Sequence, residues 1–239
     1  MRMDQVGRAA TVILYRHHQE GHTVFMTQRP VHTQSFPGYW VFPGGKEHPE
    51  DEVIATSVRQ DPDLDLVVEQ QQFQKAMSHD FIALMGRLPS LETRPPFKRL
   101  EWKTLMVTAL RELWEETGIA YTCPQLTPGD RLAIQQALLE GRSLLHLMDR
   151  YHFELEADKL TAIGRITTPD LGAKIRRFDT AFFMVPAPDQ EFLINAAEIQ
   201  ATRWLTPKKA LEQDQSTLAI PTRYILMELE NTRWGEFVS

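Results

Sequence analysis

The sequence contains a single cysteine, Cys123, among its 239 residues. An internal disulfide is therefore impossible, and such low cysteine usage is typical of proteins from a reducing compartment. No apolar run reaches the roughly 18 residues that predict a membrane span. The first residues show no secretory signal, because no apolar stretch is followed by a cleavage site. These absences predict a cytoplasmic protein without a membrane partner.

An excess of positive charge is also lacking. The chain has 26 Lys and Arg against 32 Asp and Glu, which gives a formal net charge of −6. This balance provides no general attraction to nucleic acid, so an anionic substrate would need local cations or a metal ion. Internal repeats and low-complexity tracts are absent, as in an ordinary globular protein. We expect no nucleic-acid partner and one enlarged domain over residues 1–239.

Strand and helix patterns alternate along the chain. Runs rich in β-branched and aromatic residues predict strands at 10–16, 22–29, 40–42, 160–168, 178–187 and 199–206. Helix patterns predict an acidic helix at 104–117, a helical hairpin at about 127–152 with N-caps Thr127 and Ser143, and a closing helix at 220–231. This order of elements predicts an α+β fold in which a mixed sheet carries helical insertions.

The pattern changes between about residues 52 and 103. A helix is predicted there from apolar residues at helical spacing, namely Phe73, Met77, Phe81 and Leu84. We interpret this segment as an insertion. The sequence leaves open whether it covers a pocket, mediates assembly or decorates the surface.

The stretch "RELWEETGI" places three carboxylates, Glu112, Glu115 and Glu116, within little more than one helical turn. Like charges at this spacing repel by a few tenths of a kcal/mol per pair, and negative charge is further disfavoured in a last turn ended by Gly118. Pairing of Arg111 with Glu115 offsets part of this cost. A divalent cation would offset far more, and hard carboxylate oxygens suit Mg²⁺ or Mn²⁺. The opposite, apolar side of the helix is predicted to face the core.

Together with an upstream glycine pair, this stretch resembles the Nudix box, G-x5-E-x7-R-E-U-x-E-E-x-G-U, where U is aliphatic. Gly44 and Gly45 end "FPGYWVFPGG", and the second half of the box matches at every fixed position from Arg111 to Ile119. The box is split, because Arg111 follows Gly45 by 66 residues where the uninterrupted motif has 14, which leaves 52 extra residues. Asp51 occupies the place of the first glutamate.

Two neighbouring acids, Glu50 and Glu52, leave open which carboxylate supports the loop, and we favour Asp51. The interrupted box is similar to that of the group that includes the peroxisomal coenzyme A diphosphatases. Upstream, "FMTQRPVHTQSFPGYWVFPGG" keeps part of a coenzyme A-specific Nudix signature, although Pro30 and Gln34 depart from it.

The resemblance implies a Nudix-type α/β/α sandwich and a Mg²⁺- or Mn²⁺-dependent diphosphatase. Its substrate would be a small nucleoside diphosphate linked to another group, X, with coenzyme A or acyl-coenzyme A ahead of ADP-ribose, NDP-sugars and dinucleotides. A non-catalytic, nucleotide-binding regulatory domain is an alternative of another class, and a prenyl diphosphate isomerase is a third. The family often forms homodimers, but the sequence leaves the oligomeric state open.

The resemblance also assigns roles to residues. The metal ligands are predicted to be Glu112, Glu115 and Glu116. Glu116 is the first choice for the general base and Glu198 the second, while Arg111 orients the glutamates. Substrate phosphates are predicted to meet Arg29, Arg177 and the backbone N–H groups of Gly44 and Gly45.

Overall fold

A mixed sheet of seven strands forms the centre of the structure, a computed structural model that describes residues 6–18, 21–33, 36–58, 97–168, 177–213 and 217–231. Its path runs β3 (Trp40–Val41), β2 (Gly21–Gln28), β1 (Gly7–His18), β8 (Phe178–Pro186) and β7 (Thr161–Thr167). In addition, β4 (Gly44–Lys46) pairs with β1, and β9 (Ala201–Leu205) pairs with β2. The β1–β8 pair is parallel, whereas β1–β2, β1–β4, β2–β3, β2–β9 and β7–β8 are antiparallel. A separate ribbon joins β5 (Thr122–Cys123) to β6 (Glu154–Leu155).

Helices cover both faces of this sheet. They are α1 (Pro49–Ala55), α2 (Arg99–Thr117), α3 (Pro128–Leu139), α4 (Leu144–Tyr151), α5 (Pro207–Glu212) and α6 (Ile220–Asn231), with a 3₁₀ turn at Ala157–Lys159. Within the described ranges, no helix has the length and apolarity needed to cross a bilayer.

Residues of β1 alternate between two apolar cores. Val12 and Leu14 belong to the core that contains residues of α2, whereas Ile13 and Tyr15 belong to the core that contains residues of α6. Successive side chains of a strand point to opposite faces, so one strand supplies both layers. The predicted α/β/α sandwich with a mixed sheet is confirmed.

The acidic helix α2 begins at Arg99, five residues before the predicted start at 104. The Glu101 carboxylate accepts a hydrogen bond from the Lys98 N–H at 2.7 Å, which caps the first turn. Trp102 and Leu105 are buried in the core. The helix ends at Gly118 with φ of 71°, as predicted.

The apolar side of α2 faces the core as predicted, but its acidic side is also covered. Glu116 is only 3% exposed and Arg111 only 7%. The predicted hairpin helices are present as α3 and α4. Both predicted N-caps are confirmed, since Thr127 Oγ1 accepts the Asp130 N–H and Ser143 Oγ accepts the His146 N–H, each at 3.1 Å.

The ends of the predicted insertion, 52–103, belong to helices of the sandwich. Residues 52–55 lie in α1 and 99–103 in α2, and the side chains of Ile54 and Val107 share one apolar cluster. The part of the predicted insertion that lies outside these two helices is residues 56–98. Of these, 59–96, including Phe73, Met77, Phe81 and Leu84, lie outside the described residues, and their role stays a prediction.

Candidate active site

Arg111 of α2 lies at the centre of the predicted site and is saturated with hydrogen bonds. Its Nε and Nη2 donate to the two carboxylate oxygens of Asp51, both at 2.9 Å. Its Nη1 donates to Glu112 at 2.9 Å and to Glu115 at 3.3 Å, and Nη2 also donates to the Lys46 carbonyl oxygen at 2.8 Å. These contacts engage all five guanidinium N–H groups. Arg111 is thus placed to orient the carboxylates and has no N–H left for a substrate.

Asp51 is the carboxylate that joins the two halves of the split motif. It is fully buried, and its Oδ2 also accepts hydrogen bonds from Thr108 Oγ1 at 2.8 Å and from the His48 N–H at 2.9 Å. Of its neighbours, Glu50 accepts the Leu144 N–H of α4 at 2.8 Å. The structure therefore favours Asp51, as expected. Thr108, three residues before Arg111 on the same helix face, was not predicted to contribute.

The glycine pair brings β4 into direct contact with α2. A Cβ on Gly45 would overlap the Glu112 carboxylate, and a Cβ on Gly44, whose φ is +155°, would overlap the Ala10 carbonyl oxygen. The Gly44 N–H donates to Glu116 Oε2 at 3.2 Å. We expected this N–H to face a substrate oxygen. In this conformation the Glu116 carboxylate occupies the position of the acceptor, so a contact of this N–H with substrate stays a prediction.

Burial raises the pKa values of all three predicted metal ligands. Desolvation raises the pKa of Glu112 to about 7, against the opposing charge of Arg111 and with a further rise from Glu115. Desolvation also raises the pKa of Glu115, again opposed by Arg111. The pKa of Glu116 rises well above its ordinary value, because the side chain is buried and lies near the charges of Glu112 and Glu198. Negative charge at this cluster is therefore costly without a compensating cation.

Glu198 and Arg29 lie close enough to the cluster to affect its charges. The charge of Glu198 raises the pKa of each of the three glutamates, whereas the charge of Arg29 opposes the rise at Glu116. Arg29 follows β2, and its buried Nε has no hydrogen-bond partner among the described residues. This unsatisfied donor beside a carboxylate cluster fits the predicted contact with a substrate oxygen.

Arg177 lies just before β8, where the parallel pairing of β8 with β1 begins. Its Nε donates to the Thr168 carbonyl oxygen at 3.1 Å, and its own carbonyl oxygen accepts the Gly7 N–H at 3.1 Å. Gly7 is three residues before Ala10, the residue that faces Gly45 across β1 and β4. The substrate contact of Arg177 stays a prediction.

The three predicted metal ligands do not form a ready-made chelate. In the part of the chain that the structure describes, no group of three or more His, Cys, Asp or Glu side chains is arranged to hold a metal ion. The reason is visible in the contacts, because Glu112 and Glu115 turn toward Arg111 and Glu116 turns toward Gly44. The donor chemistry nevertheless fits Mg²⁺, since three desolvated carboxylates offer hard oxygen ligands. The side chains of Glu112, Glu115 and Glu116 would have to rotate to bind one ion together.

Comparison with solved structures identifies the fold. A NUDIX hydrolase from Alicyclobacillus acidocaldarius matches with a TM-score of 0.69 and 24% sequence identity, covering 96% of this chain and 93% of that chain. The chain has the Nudix fold. At this identity the likeness establishes the fold alone, and no family model matches the sequence.

Other structures with the Nudix fold match less well. The NUDIX domain of Shewanella oneidensis NrtR, complexed with ADP ribose, has a TM-score of 0.46 at 12% identity and covers 96% of this chain and 89% of that chain. The MutT protein from Methanosarcina mazei Go1 has a TM-score of 0.47 at 13% identity and covers 98% and 100%. With TM-scores this low, neither adds to the argument about the site.

Proposed function

We propose that the protein hydrolyses a phosphoanhydride bond in a nucleoside diphosphate linked to X, using Mg²⁺ or Mn²⁺ held by Glu112, Glu115 and Glu116. One observation carries the proposal: three largely desolvated carboxylates with raised pKa values lie in one turn of α2, and two of them share a single saturated arginine. A fold that needed only stability would gain from apolar residues at these positions. Carboxylates are instead what a cation-dependent site requires.

The protein side chains have distinct tasks in this proposal. Arg111 and Asp51 hold the acidic turn of α2 against α1 and β4. The backbone that carries the glutamates is therefore fixed before substrate arrives, and only their side chains rotate. When bound, the cation neutralises charge on the diphosphate and lowers the pKa of water. Arg29 contributes its unsatisfied buried Nε to a phosphate oxygen.

Glu116 is the proposed general base. Water attacks one phosphorus atom, the bond from that phosphorus to the bridging oxygen breaks, and the proton of the water passes to the Glu116 carboxylate. A raised pKa supports this role, because it makes the carboxylate a stronger proton acceptor. Glu198 is the second candidate, since its charge acts on the same cluster.

Coenzyme A or acyl-coenzyme A leads among substrates because part of the coenzyme A signature precedes the glycine loop. ADP-ribose, NDP-sugars and dinucleotides remain alternatives. The test is to incubate coenzyme A, ADP-ribose, UDP-glucose and a diadenosine polyphosphate separately with the protein and Mg²⁺ and to resolve the products by chromatography. The amounts of product rank these substrates. We expect two phosphate-terminated products from the preferred substrate and none after EDTA treatment. Intact substrates throughout would contradict the proposal.

A binding domain without turnover is the rival function. It is favoured by one observation, that the three glutamates turn toward Arg111 and Gly44 and are not gathered around a common point. Calorimetry separates the two functions. A nucleotide that binds tightly in the presence of Mg²⁺ and is recovered intact after hours would support the regulatory domain.

A further inference from the structure

The last turn of α2 is covered by residues 190–198, which we call the covering segment. The final carbonyl groups of a helix have no partner within it and need outside donors. Here the Glu116 carbonyl oxygen accepts the Asn195 N–H at 2.9 Å, and that of Thr117 accepts the Leu193 N–H at 2.7 Å. The segment is also tightly seated, because a Cβ on Gly118 would lie 2.5 Å from the Leu193 Cβ.

Two buried side chains of α3 hold the covering segment against the end of α2. Gln135 and Arg131 are each only 4% exposed. Gln135 Nε2 donates to the carbonyl oxygens of Glu115 at 3.1 Å and Leu193 at 2.7 Å, so it bridges α2 and the covering segment. Buried hydrogen bonds of this kind are costly to break, since water cannot replace them.

Arg131 makes the second connection. Its Nη1 donates to the Gly118 carbonyl oxygen at 2.9 Å and to Gln190 Oε1 at 3.0 Å. Gln190 is in turn bonded to both backbone groups of Ala120, accepting its N–H at 3.1 Å and donating to its carbonyl oxygen at 2.8 Å. The covering segment is thus held at its beginning as well as at Leu193.

The fastened segment leads directly to Glu198. The Asn195 carbonyl oxygen accepts the Glu198 N–H at 3.1 Å, and Asn195 Oδ1 accepts the Ala197 N–H at 3.1 Å. Two successive backbone hydrogen bonds, Asn195 to Glu116 and Glu198 to Asn195, therefore connect the backbone of the acidic turn with Glu198. If these hydrogen bonds of Asn195 break, Glu198 is free to move relative to Glu112, Glu115 and Glu116.

We propose that Gln135 and Arg131 are positioning residues, which hold Glu198 beside Glu112, Glu115 and Glu116 by fastening the covering segment to α2. The hairpin of α3 and α4 then has a task in the site, because one of its helices sets the arrangement of the carboxylates. The catalytic consequence rests on the proposed function. The attachment of the covering segment to α2 does not depend on the proposed function.

Amide hydrogen exchange tests whether the covering segment is held against α2, and this measurement needs no enzymatic activity. Gln135→Met keeps the length and apolar packing of the side chain but removes both donated hydrogen bonds. Exchange at the Leu193 and Asn195 amides should become about tenfold faster or more, because the segment opens locally. Ile134→Val on the same helix, which trims a side chain in the apolar cluster of α1 to α4, is the control and should leave these two amides at the wild-type rate.

Unchanged exchange in Gln135→Met would overturn the proposal. If that variant does not fold, the half-buried Gln190→Met removes the connection to Ala120 and should also speed exchange at Leu193. Wild-type exchange there would overturn the proposal equally.

Kinetics test the action through Glu198. Gln135→Met should lower kcat while KM changes little, and the same substitution made in a Glu198→Gln background should have no further effect. An equal loss of kcat in both backgrounds would mean that Gln135 acts directly on α2 or on general structure and not through Glu198, against the proposal. If the wild type hydrolyses none of the substrates, the proposed function fails, while the exchange rates still decide the fastening.

Discussion

Glu112 should make the cation-free protein less stable as the pH rises. Burial raises the pKa of Glu112 from 4.5 to about 7, although the neighbouring Arg111 opposes the rise. The folded protein therefore binds this proton more tightly than the unfolded chain does. The resulting stabilisation is fully present below pH 4.5 and is lost as the pH rises through about 7. A tenfold change in proton affinity equals about 1.4 kcal/mol, so Glu112 accounts for about 3 kcal/mol.

Urea unfolding at pH 5 and pH 8, in EDTA, measures this contribution. Glu112→Gln keeps an oxygen that accepts the Arg111 hydrogen bond but carries no charge at any pH. It should exceed the wild type in unfolding free energy by up to about 3 kcal/mol at pH 8, and by less than about 1 kcal/mol at pH 5. Asp149→Asn, on the exposed side of α4, controls for the loss of one negative charge.

Mg²⁺ should offset the loss of stability at high pH, because a cation binds the charged carboxylates. Millimolar Mg²⁺ is expected to raise the melting temperature of the wild type more at pH 8 than at pH 5, and to raise that of Glu112→Gln less. Equal destabilisation of Glu112→Gln at both pH values would contradict the raised pKa of Glu112. So would a melting temperature that Mg²⁺ changes in neither protein.

Three further substitutions test other parts of the site. Glu116→Gln should lower kcat by about 10²- to 10⁴-fold without lowering the melting temperature, because burial also raises the pKa of the carboxylate that it replaces, and near wild-type turnover would remove Glu116 from the role of base. Gly45→Ala should cost about 1–3 kcal/mol in urea unfolding, because its Cβ overlaps Glu112; wild-type stability would show that β4 can move away. Arg111→Met should cost about 3–5 kcal/mol by leaving the buried Asp51 charge unpaired, and a loss below 1 kcal/mol would contradict that pairing.

Local patterns predicted much of the fold. The alternation of β1 and its antiparallel pairing with β2 depend on residues close in sequence, and both strands lie within a few residues of their predicted bounds. The closing helix matches at both ends, 220–231. The early start of α2 was missed because its first turn is highly charged, and its stability comes from a cap by Glu101 and from distant packing partners of Trp102.

The motif grouped residues that the structure places close together, but it did not predict the conformation of their side chains. The motif identified Arg111 and the three glutamates, and the structure joins Arg111 to Glu112 and Glu115. The Gly44 to Glu116 hydrogen bond spans 72 residues of sequence, and no local pattern encodes it. For the same reason nothing in the sequence singled out Gln135, whose bonded partners lie 20 and 58 residues away.

A crystal structure with Mn²⁺ and a non-hydrolysable nucleoside diphosphate analogue would test the account most directly. We predict anomalous density for Mn²⁺ bonded to carboxylate oxygens of Glu112, Glu115 and Glu116 and to the diphosphate, with Glu116 released from the Gly44 N–H. The account is contradicted if the glutamates keep their bonds to Arg111 and Gly44 while the ion and the analogue bind elsewhere.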